Sequence, residues 1–427
     1  MNAVHEAPGL LRTMKLVGSV IGRIQPRLLG AGIVLVMVLA DPRSALPRDP
    51  VELLGAFPHL QAIFSEKSVH KKQLLIREFL SNRRKIRGLL ETEEGVRIFN
   101  RFRMVAPNVM PNLRMINLEN EILKYINLNG AKLYFSNLYG SNFESAKLRG
   151  VYLFHCRCHK LNLSGADLSS GWRGMNTVLA NSYFDNGDFS RANLTGVDFV
   201  DTSLQDVLLD GAELGGANFT NANLIRASMV GVTARSPTTF LASIITYSDL
   251  TDAKLSAAVM RRAALAHTNL TRTDLNRADL QAIEFRDARI EDTDFRGANL
   301  SSAILSYLDL RTAKLHNADL TDASLLGANL ANVDFTGADL TGLKADLADF
   351  SSANLRSVNM EDAGLLGADL SGANLQGAIL TGAKLARANL TGANLRDAKL
   401  LGTDLRGANT TDADFTDAML GDPKLED

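Results

Sequence analysis

The sequence predicts an all-β solenoid, a chain that coils on itself with strand spacing, preceded by a small α-helical N-terminal region. Three observations carry that prediction. From Leu118 onward an apolar residue recurs at every fifth position. Two residues before each of these centres stands a small residue, usually Ala. Asn, Asp, Ser, Thr and Gly dominate the other three positions, as tight turns require.

The centres fall into three blocks. The first runs from Leu118 to Leu168, the second from Leu179 through Phe184, Phe189, Leu194 and Phe199 to Met229, and the third from Ile245 to Leu425. Of 59 centres, all but Cys158, Ala345 and Thr410 are Leu, Phe, Ile or Met, so the period is a burial signal. An α-helix would advance its face by about 500° over five residues and spiral the centres around the axis. A flat strand would flip them from side to side, because five is odd. A chain that runs extended for about three residues and then turns keeps the small residue and the centre on one inner side. The core of such a coil is narrow: in the third block 25 of 37 small positions are Ala. Few aromatic residues, 6% of the chain, fit that narrowness.

The unit reads A-(D/N)-L-x-x, most clearly in Ala298-Asn299-Leu300 and Ala368-Asp369-Leu370. Over roughly residues 112–425 it resembles the pentapeptide-repeat family. The resemblance implies a right-handed quadrilateral β-helix with four units per turn. At ~4.8 Å per rung that makes a rod of roughly 75 Å. The implied organisation is residues 1–40 as a signal peptide or membrane anchor, 41–111 as a basic helical head or cap, and 112–427 as the β-helix. Phase slips interrupt the β-helix near 169–178 and 230–244. The first displaces the register by one residue and holds the sole tryptophan, Trp172; the second contains Arg235-Ser236-Pro237. Both read as corner loops, because insertions into solenoids map to loops. Trp172, Arg173 and Arg235 are their candidate partner contacts, since aromatic residues and Arg anchor interfaces.

Ahead of the repeat the charge changes sign. Residues 1–110 carry 17 Lys/Arg against 9 Asp/Glu, and residues 111–427 carry 29 against 38, so the chain's net −1 hides a basic head on a mildly acidic body. Residues 28–40 are an uncharged apolar run that follows Arg12, Lys15, Arg23 and Arg27 and ends in Val38-Leu39-Ala40. These are the makings of a secretory signal peptide, too short for a comfortable membrane span. An uncleaved anchor and a buried element of a cytoplasmic protein are the alternatives. Over residues 69–90 the spacing of Val69, Leu75, Ile76, Phe79, Leu80, Ile86, Leu89 and Leu90 is helical, and a second helix is expected over about 92–104. Lys71, Lys72, Arg83, Arg84, Lys85 and Arg87 make the first helix a candidate for an anionic membrane surface. The competing reading lays the helices over the first rung as a cap, which solenoids need for solubility.

The one constellation with metal-ligand chemistry is His155-Cys156-Arg157-Cys158-His159. Register argues against a site. Both cysteines occupy inward positions and both histidines outward ones, so the four cannot converge, and the two-residue spacing argues against a disulfide. No nucleotide-binding, metalloprotease or nucleophile motif is present. The columns of Asp, such as Asp274, Asp279, Asp319, Asp339 and Asp369, read as a solvated wall. No catalytic residue, cofactor, metal or small-molecule substrate is expected.

The functional expectation is therefore a non-catalytic scaffold, a rigid rod that presents polar walls to an unknown protein partner. An alternative is an exported or membrane-attached module whose basic head binds anionic lipid. The resemblance also implies mimicry of duplex DNA toward a type II topoisomerase. The weak negative charge of the body and the Arg-rich stretch Arg261, Arg262, Arg272, Arg277, Arg286, Arg289 and Arg296 argue against that, and against nucleic-acid binding by the rod.

Overall fold

Parallel backbone bridges between residues 20 positions apart organise the chain from Asn112 to Met419 in the computed structural model, which describes residues 60–421. Asn112 pairs with Lys132, Lys132 with Tyr152, and the pattern repeats along the rod. Twenty residues hold four units, so each coil has four short flat sides and four corners. The bridging residue is the one before each centre, which is why it points outward between two buried neighbours.

The corners follow from local chemistry. Each centre's carbonyl accepts the N–H three residues on, as Leu128 O does from Ala131 N at 2.9 Å. Only the second residue within the turn has positive φ, for example +57° at Asn120 and +58° at Asp412, which is a type II turn. Asn, Asp and Gly tolerate that left-handed conformation best, and they dominate this column. Thr312 is the one β-branched residue in the column between 247 and 417, and among these described residues it alone lacks a positive φ. The Asp or Asn before the centre has a task beyond solvation. Its carboxylate or amide oxygen accepts the N–H two residues on, as Asp319 does from Thr321 N at 3.0 Å and Thr321 Oγ1 at 2.6 Å. Such Asx bonds fix the start of the turn locally.

Inside, the centres stack in columns with essentially no exposure. Phe199, Phe219 and Phe240 form one face-to-face column, with centroids 4.6 and 4.9 Å apart. Each buried Leu or Phe contributes about 1.5–3 kcal/mol. Where Ser or Thr replaces Ala at the small position, its hydroxyl donates to the centre carbonyl one coil below, as Thr273 Oγ1 to Leu250 O at 2.8 Å. The buried polar atom is thereby satisfied. Ala345 is a centre without bulk, and Leu343 in the small slot of the same unit restores it; both are fully buried.

Leu308 also occupies a small slot, but its centre, Leu310, is full-sized. Here the ladder skips two pairs, Arg289 with Asp309 and Lys314 with Asp334. Asp292 N turns to the Thr312 hydroxyl at 2.9 Å. Overpacking of an Ala column and a turn that cannot take positive φ account together for the gap.

The two phase slips differ from the sequence reading. Across the first, Tyr152 pairs with Val178 and Asp167 with Asn193, 26 positions apart rather than 20, so six residues leave the coil instead of one. They form a tight hairpin, with Trp172 and Met175 paired antiparallel and Gly171 N bonded to Met175 O at 2.8 Å. The second adds one residue, since Asn218 pairs with Thr239. Phe240, outside the register read from sequence, is a buried centre, and Leu113 precedes Leu118 as the first. The cysteine expectation is also corrected: Cys156 and Cys158 form a disulfide, with Cα atoms 5.6 Å apart. Both side chains point inward from a bent strand, and that separation lies in the range a disulfide spans.

Ahead of the coils lie α1 (Gln61–Ser65), α2 (Val69–Ser81), α3 (Arg83–Leu89) and α4 (Glu93–Val105). The helical spacing read over 69–90 thus breaks at Asn82, whose side chain caps α3 by accepting Lys85 N at 3.1 Å. The chain divides into two compact units. In the first, Ile76, Phe79 and Leu80 are buried, and Phe79 meets Phe102 edge to face at 5.5 Å. In the second, α3 and the start of α4 belong with the coils. Arg87 bonds Glu121 at 2.8 Å, Arg83 bonds the Arg114 carbonyl, and Asn100 bonds Tyr125 O at 3.1 Å and Asn127 N at 2.8 Å. The apolar run 28–40 lies outside the described residues. Among the described residues no helix is long and apolar enough to cross a membrane.

Hydrogen exchange checks the ladder gap. The amides of Asp309 and Asp334 should exchange faster than those of Asp319 and Asp349, which bond the Ala298 and Ala328 carbonyls at 2.9 Å. Equal protection at all four would contradict it.

Candidate functional site

Because each coil repeats after 20 residues, residues 20 apart in the regular stretches stack along the rod, and any cluster of unusual types becomes a stripe. One such stripe covers two corners and the flat side between them in the first four coils. On the first corner, Tyr134 stacks on Phe154 at 5.0 Å and 12°, and Phe135 on His155 at 5.2 Å and 12°. The Arg114 guanidinium lies 5.0 Å from the Tyr134 ring. On the second corner, Arg157 and Lys160 stand 5.6 and 5.7 Å from the Tyr139 ring. His159 stacks on Tyr183 at 5.8 Å. Phe135 and Tyr183 are more than half exposed, at 57% and 56%, in positions where the rest of the rod shows mostly small polar groups. Between the corners is a shallow concavity of about 310 Å³, lined by His155, Cys156, Arg157, His159 and Tyr183.

The acids of this wall are already engaged. Glu119 accepts Asn137 Nδ2 at 2.9 Å. Asp185 accepts the Ser203 hydroxyl at 2.5 Å and Gln205 N at 2.9 Å, and lies 3.3 Å from His159 Nδ1. The interior offers no comparable space: the volume enclosed by Leu133, Leu138, Phe143, Leu148, Leu153, Leu161 and Leu163 admits no water. The wall was missed in the sequence because coil length was needed to align it. Once 20 is known, the spacings Tyr134–Phe154 and Phe135–His155 reveal it.

The sequence-predicted contacts lie elsewhere, and the fold brings them to one edge. Both phase slips leave from the fourth corner of a coil, three coils apart. Ser170 N bonds Thr195 O, Gly196 N bonds Gly215 O, and Gly216 N bonds Ser236 O, which places the two excursions in one line. The hairpin does not project freely. The Trp172 ring lies against Gly130, whose φ is +69° and where a Cβ would sit 2.3 Å from the ring. Trp172 is half-buried, and exposed Arg173 covers its ring at 5.2 Å. Arg235 is exposed on the wider corner, where Gly215 leaves room for its backbone.

Of the basic head residues, Lys71 and Lys72 stand on α2 in the first unit, while Arg83, Arg84, Lys85 and Arg87 belong to α3 in the second. Arg83 and Arg87 are engaged as described. The predicted Asp columns face outward in Asx turns, Asp319, Asp339 and Asp369 among them. His155 and His159 point away from the cysteines, and among the described residues no cluster of His, Cys, Asp or Glu could hold a metal ion. Elsewhere on the walls arginines clamp acids one coil below. Arg226 bonds Asp206 through two nitrogens at 2.6 and 2.7 Å, and Arg272 bonds Asp252 at 2.7 and 2.8 Å. The side-chain hydrogen bond from each arginine holds the Asp206 and Asp252 carboxyls below the ordinary carboxylate range.

Comparison with known proteins adds a family likeness. The pentapeptide-repeats family profile matches residues 112–169, 175–235, 248–385 and 388–422 in overlapping segments. No curated protein matches the chain. Among solved structures, the chain is similar to HetL, a pentapeptide repeat protein involved in heterocyst differentiation regulation in the cyanobacterium Nostoc sp. strain PCC 7120. The identity is 29% over 58% of this chain and 92% of that one, with a TM-score of 0.24. A pentapeptide repeat protein of the Arabidopsis thaliana thylakoid lumen is 38% identical over 25% of this chain and 72% of that one, with a TM-score of 0.19. A trypsin-treated variant of QnrB1, a plasmid-mediated fluoroquinolone resistance protein, is 26% identical over 44% and 91%, with a TM-score of 0.29.

Two measurements check these geometries. Gly130→Ala should drive Trp172 off the corner, shifting its fluorescence to the red and raising its quenching by acrylamide, at a cost of about 1–2 kcal/mol from the backbone alone. Gly392→Ala, at φ +65° with nothing near its Cβ, should carry the backbone cost and leave the emission unchanged. In carboxyl NMR titrations, Asp206 and Asp252 should have midpoints below ~3.9. Their stabilising effect is present above that value and is lost as pH falls through the lowered folded-state midpoint. Arg226→Ala should raise the Asp206 midpoint and leave that of Asp252 in place.

Proposed function

The chain belongs to the pentapeptide-repeat family, and on that premise we propose that it is a non-catalytic interaction scaffold, a right-handed quadrilateral β-helix whose walls bind protein partners. The observation that carries this reading is the aromatic and cationic wall of the first four coils. Exposed Phe135, Tyr183, Arg114 and Arg157 are held at ladder spacing on a filled core that cannot rearrange beneath them. Tyr and Arg on a rigid support are what protein interfaces use as anchors. The edge with Trp172, Arg173 and Arg235 is a second, smaller candidate contact.

In this reading residues 112–421 are the binding body, and α3 with the start of α4 is its N-terminal cap. The hydrogen bonds of Arg83, Arg87 and Asn100 to the first coil support the cap. They also weaken the anionic-lipid reading of the head, because two of its six cations are committed within the protein. Mimicry of DNA toward a type II topoisomerase draws little support from a surface whose acids are so often clamped by arginine. Export or anchoring rests on residues 28–40 alone.

In-cell photo-cross-linking tests the scaffold. A cross-linking residue placed at Phe135 or Tyr183 should give discrete protein adducts, and one placed at exposed Glu361 or Asp412 should give far fewer. Absence of adducts from every wall would remove the reading.

A further inference from the structure

We propose that the wall formed by Arg114, Tyr139, His155, Arg157, Lys160 and Tyr183 binds an acidic polypeptide segment. This rests on the scaffold reading and names the chemistry of its partner.

Three features select that partner. The first is uncompensated charge. Arg114, Arg157 and Lys160 are exposed, each lies over a tyrosine ring, and none is paired with a carboxylate. The acids that could neutralise them, Glu119 and Asp185, are held by Asn137, Ser203, Gln205 and His159. The body as a whole has 38 Asp/Glu against 29 Lys/Arg, so an acidic segment is repelled by much of the rod and attracted here.

The second feature is the direction of the rings. Tyr134 on Phe154 and Phe135 on His155 are stacked along the rod at about one coil spacing, with planes 12° apart. Their faces cover one another and their edges face solvent. A ring edge is the positive part of the aromatic quadrupole and favours carboxylate over cation. Single-stranded nucleic acid, the other polyanion a basic aromatic surface can take, needs open ring faces for base stacking. Edge-on rings therefore favour an acidic polypeptide.

The third feature is the concavity of about 310 Å³ whose floor is Cys156 and whose sides are His155, Arg157, His159 and Tyr183. It is large enough for a single side chain, and Arg157 stands over it. The inward disulfide between Cys156 and Cys158 brackets Arg157 in the chain and anchors its backbone to the core. A preorganised cation beside a small pocket suits a carboxylate side chain.

Fluorescence anisotropy on the full chain tests this with three labelled probes of equal length: a Glu/Asp-rich peptide with interspersed Leu, its Lys-rich counterpart, and oligothymidylate. The acidic peptide should bind, and its affinity should fall as salt rises from ~0.05 to ~0.3 M. Arg157→Glu with Lys160→Glu should weaken it by about tenfold or more, as should Tyr183→Ala to a lesser degree, with circular dichroism unchanged. Lys71→Glu with Lys72→Glu, in the head, should leave it unaltered. No binding of the acidic peptide, equal binding by the wall variants, or tighter binding of oligothymidylate would overturn the proposal. If the peptide fails while photo-cross-links persist on the rod, the partner chemistry is wrong and the scaffold stands; if both fail, the scaffold falls.

Discussion

Four times in every coil the backbone must turn a corner by putting one residue into the left-handed region, and every other feature of the rod depends on that requirement. The turn fixes five residues per side, four sides fix 20 residues per coil, and 20 residues per coil fix which side chains become neighbours. Asn, Asp and Gly fill the turning column because they bear the conformation at least cost. The Asx bonds of residues such as Asp319 and Asp369 secure the turn's entrance without help from the next coil. Each unit is therefore locally competent, and stacking adds the parallel ladder and the dry core. That combination of local turns with nearest-neighbour burial is what lets a solenoid grow by repetition.

A structure built this way has little freedom to make a cleft, and function has to be written on its walls. The same regularity that fills the interior with Leu and Phe gives each outward residue a fixed address. Departures from regularity are then informative. At Leu308 and Thr312 the departure loosens the ladder, whereas at Ala345 the compensating Leu343 leaves it intact. At the fourth corner it takes the form of two excursions along one edge, supported by glycines at 130 and 215 that admit the Trp172 ring and the backbone at Arg235. On the wall of the first four coils it takes the form of aromatic and cationic residues where small polar ones are the rule.

The limits of sequence reading follow from distance along the chain. The period of five, the inward pair and the turning residues are relations over a few positions, so Leu118 or Ala298 declare their roles at once. The continuous helix expected over 69–90 broke at Asn82, because the side chain that competes for backbone donors makes a better cap than an interior residue. The disulfide escaped because an extended strand was assumed where the strand bends. The hairpin was underestimated because a six-residue excursion and a one-residue slip leave the same phase in a period of five.

By itself the sequence determined the coil, its narrow core, the composition of its corners and the presence of two interruptions, since all of these arise from local conformational preference and burial. Only the tertiary structure decided which outward residues meet. Tyr134 and Phe154, or Arg157 and Tyr139, are about a coil apart in sequence and touch only after the chain has turned four corners. The candidate binding wall is a property of stacking, and stacking brings together residues that no local rule relates.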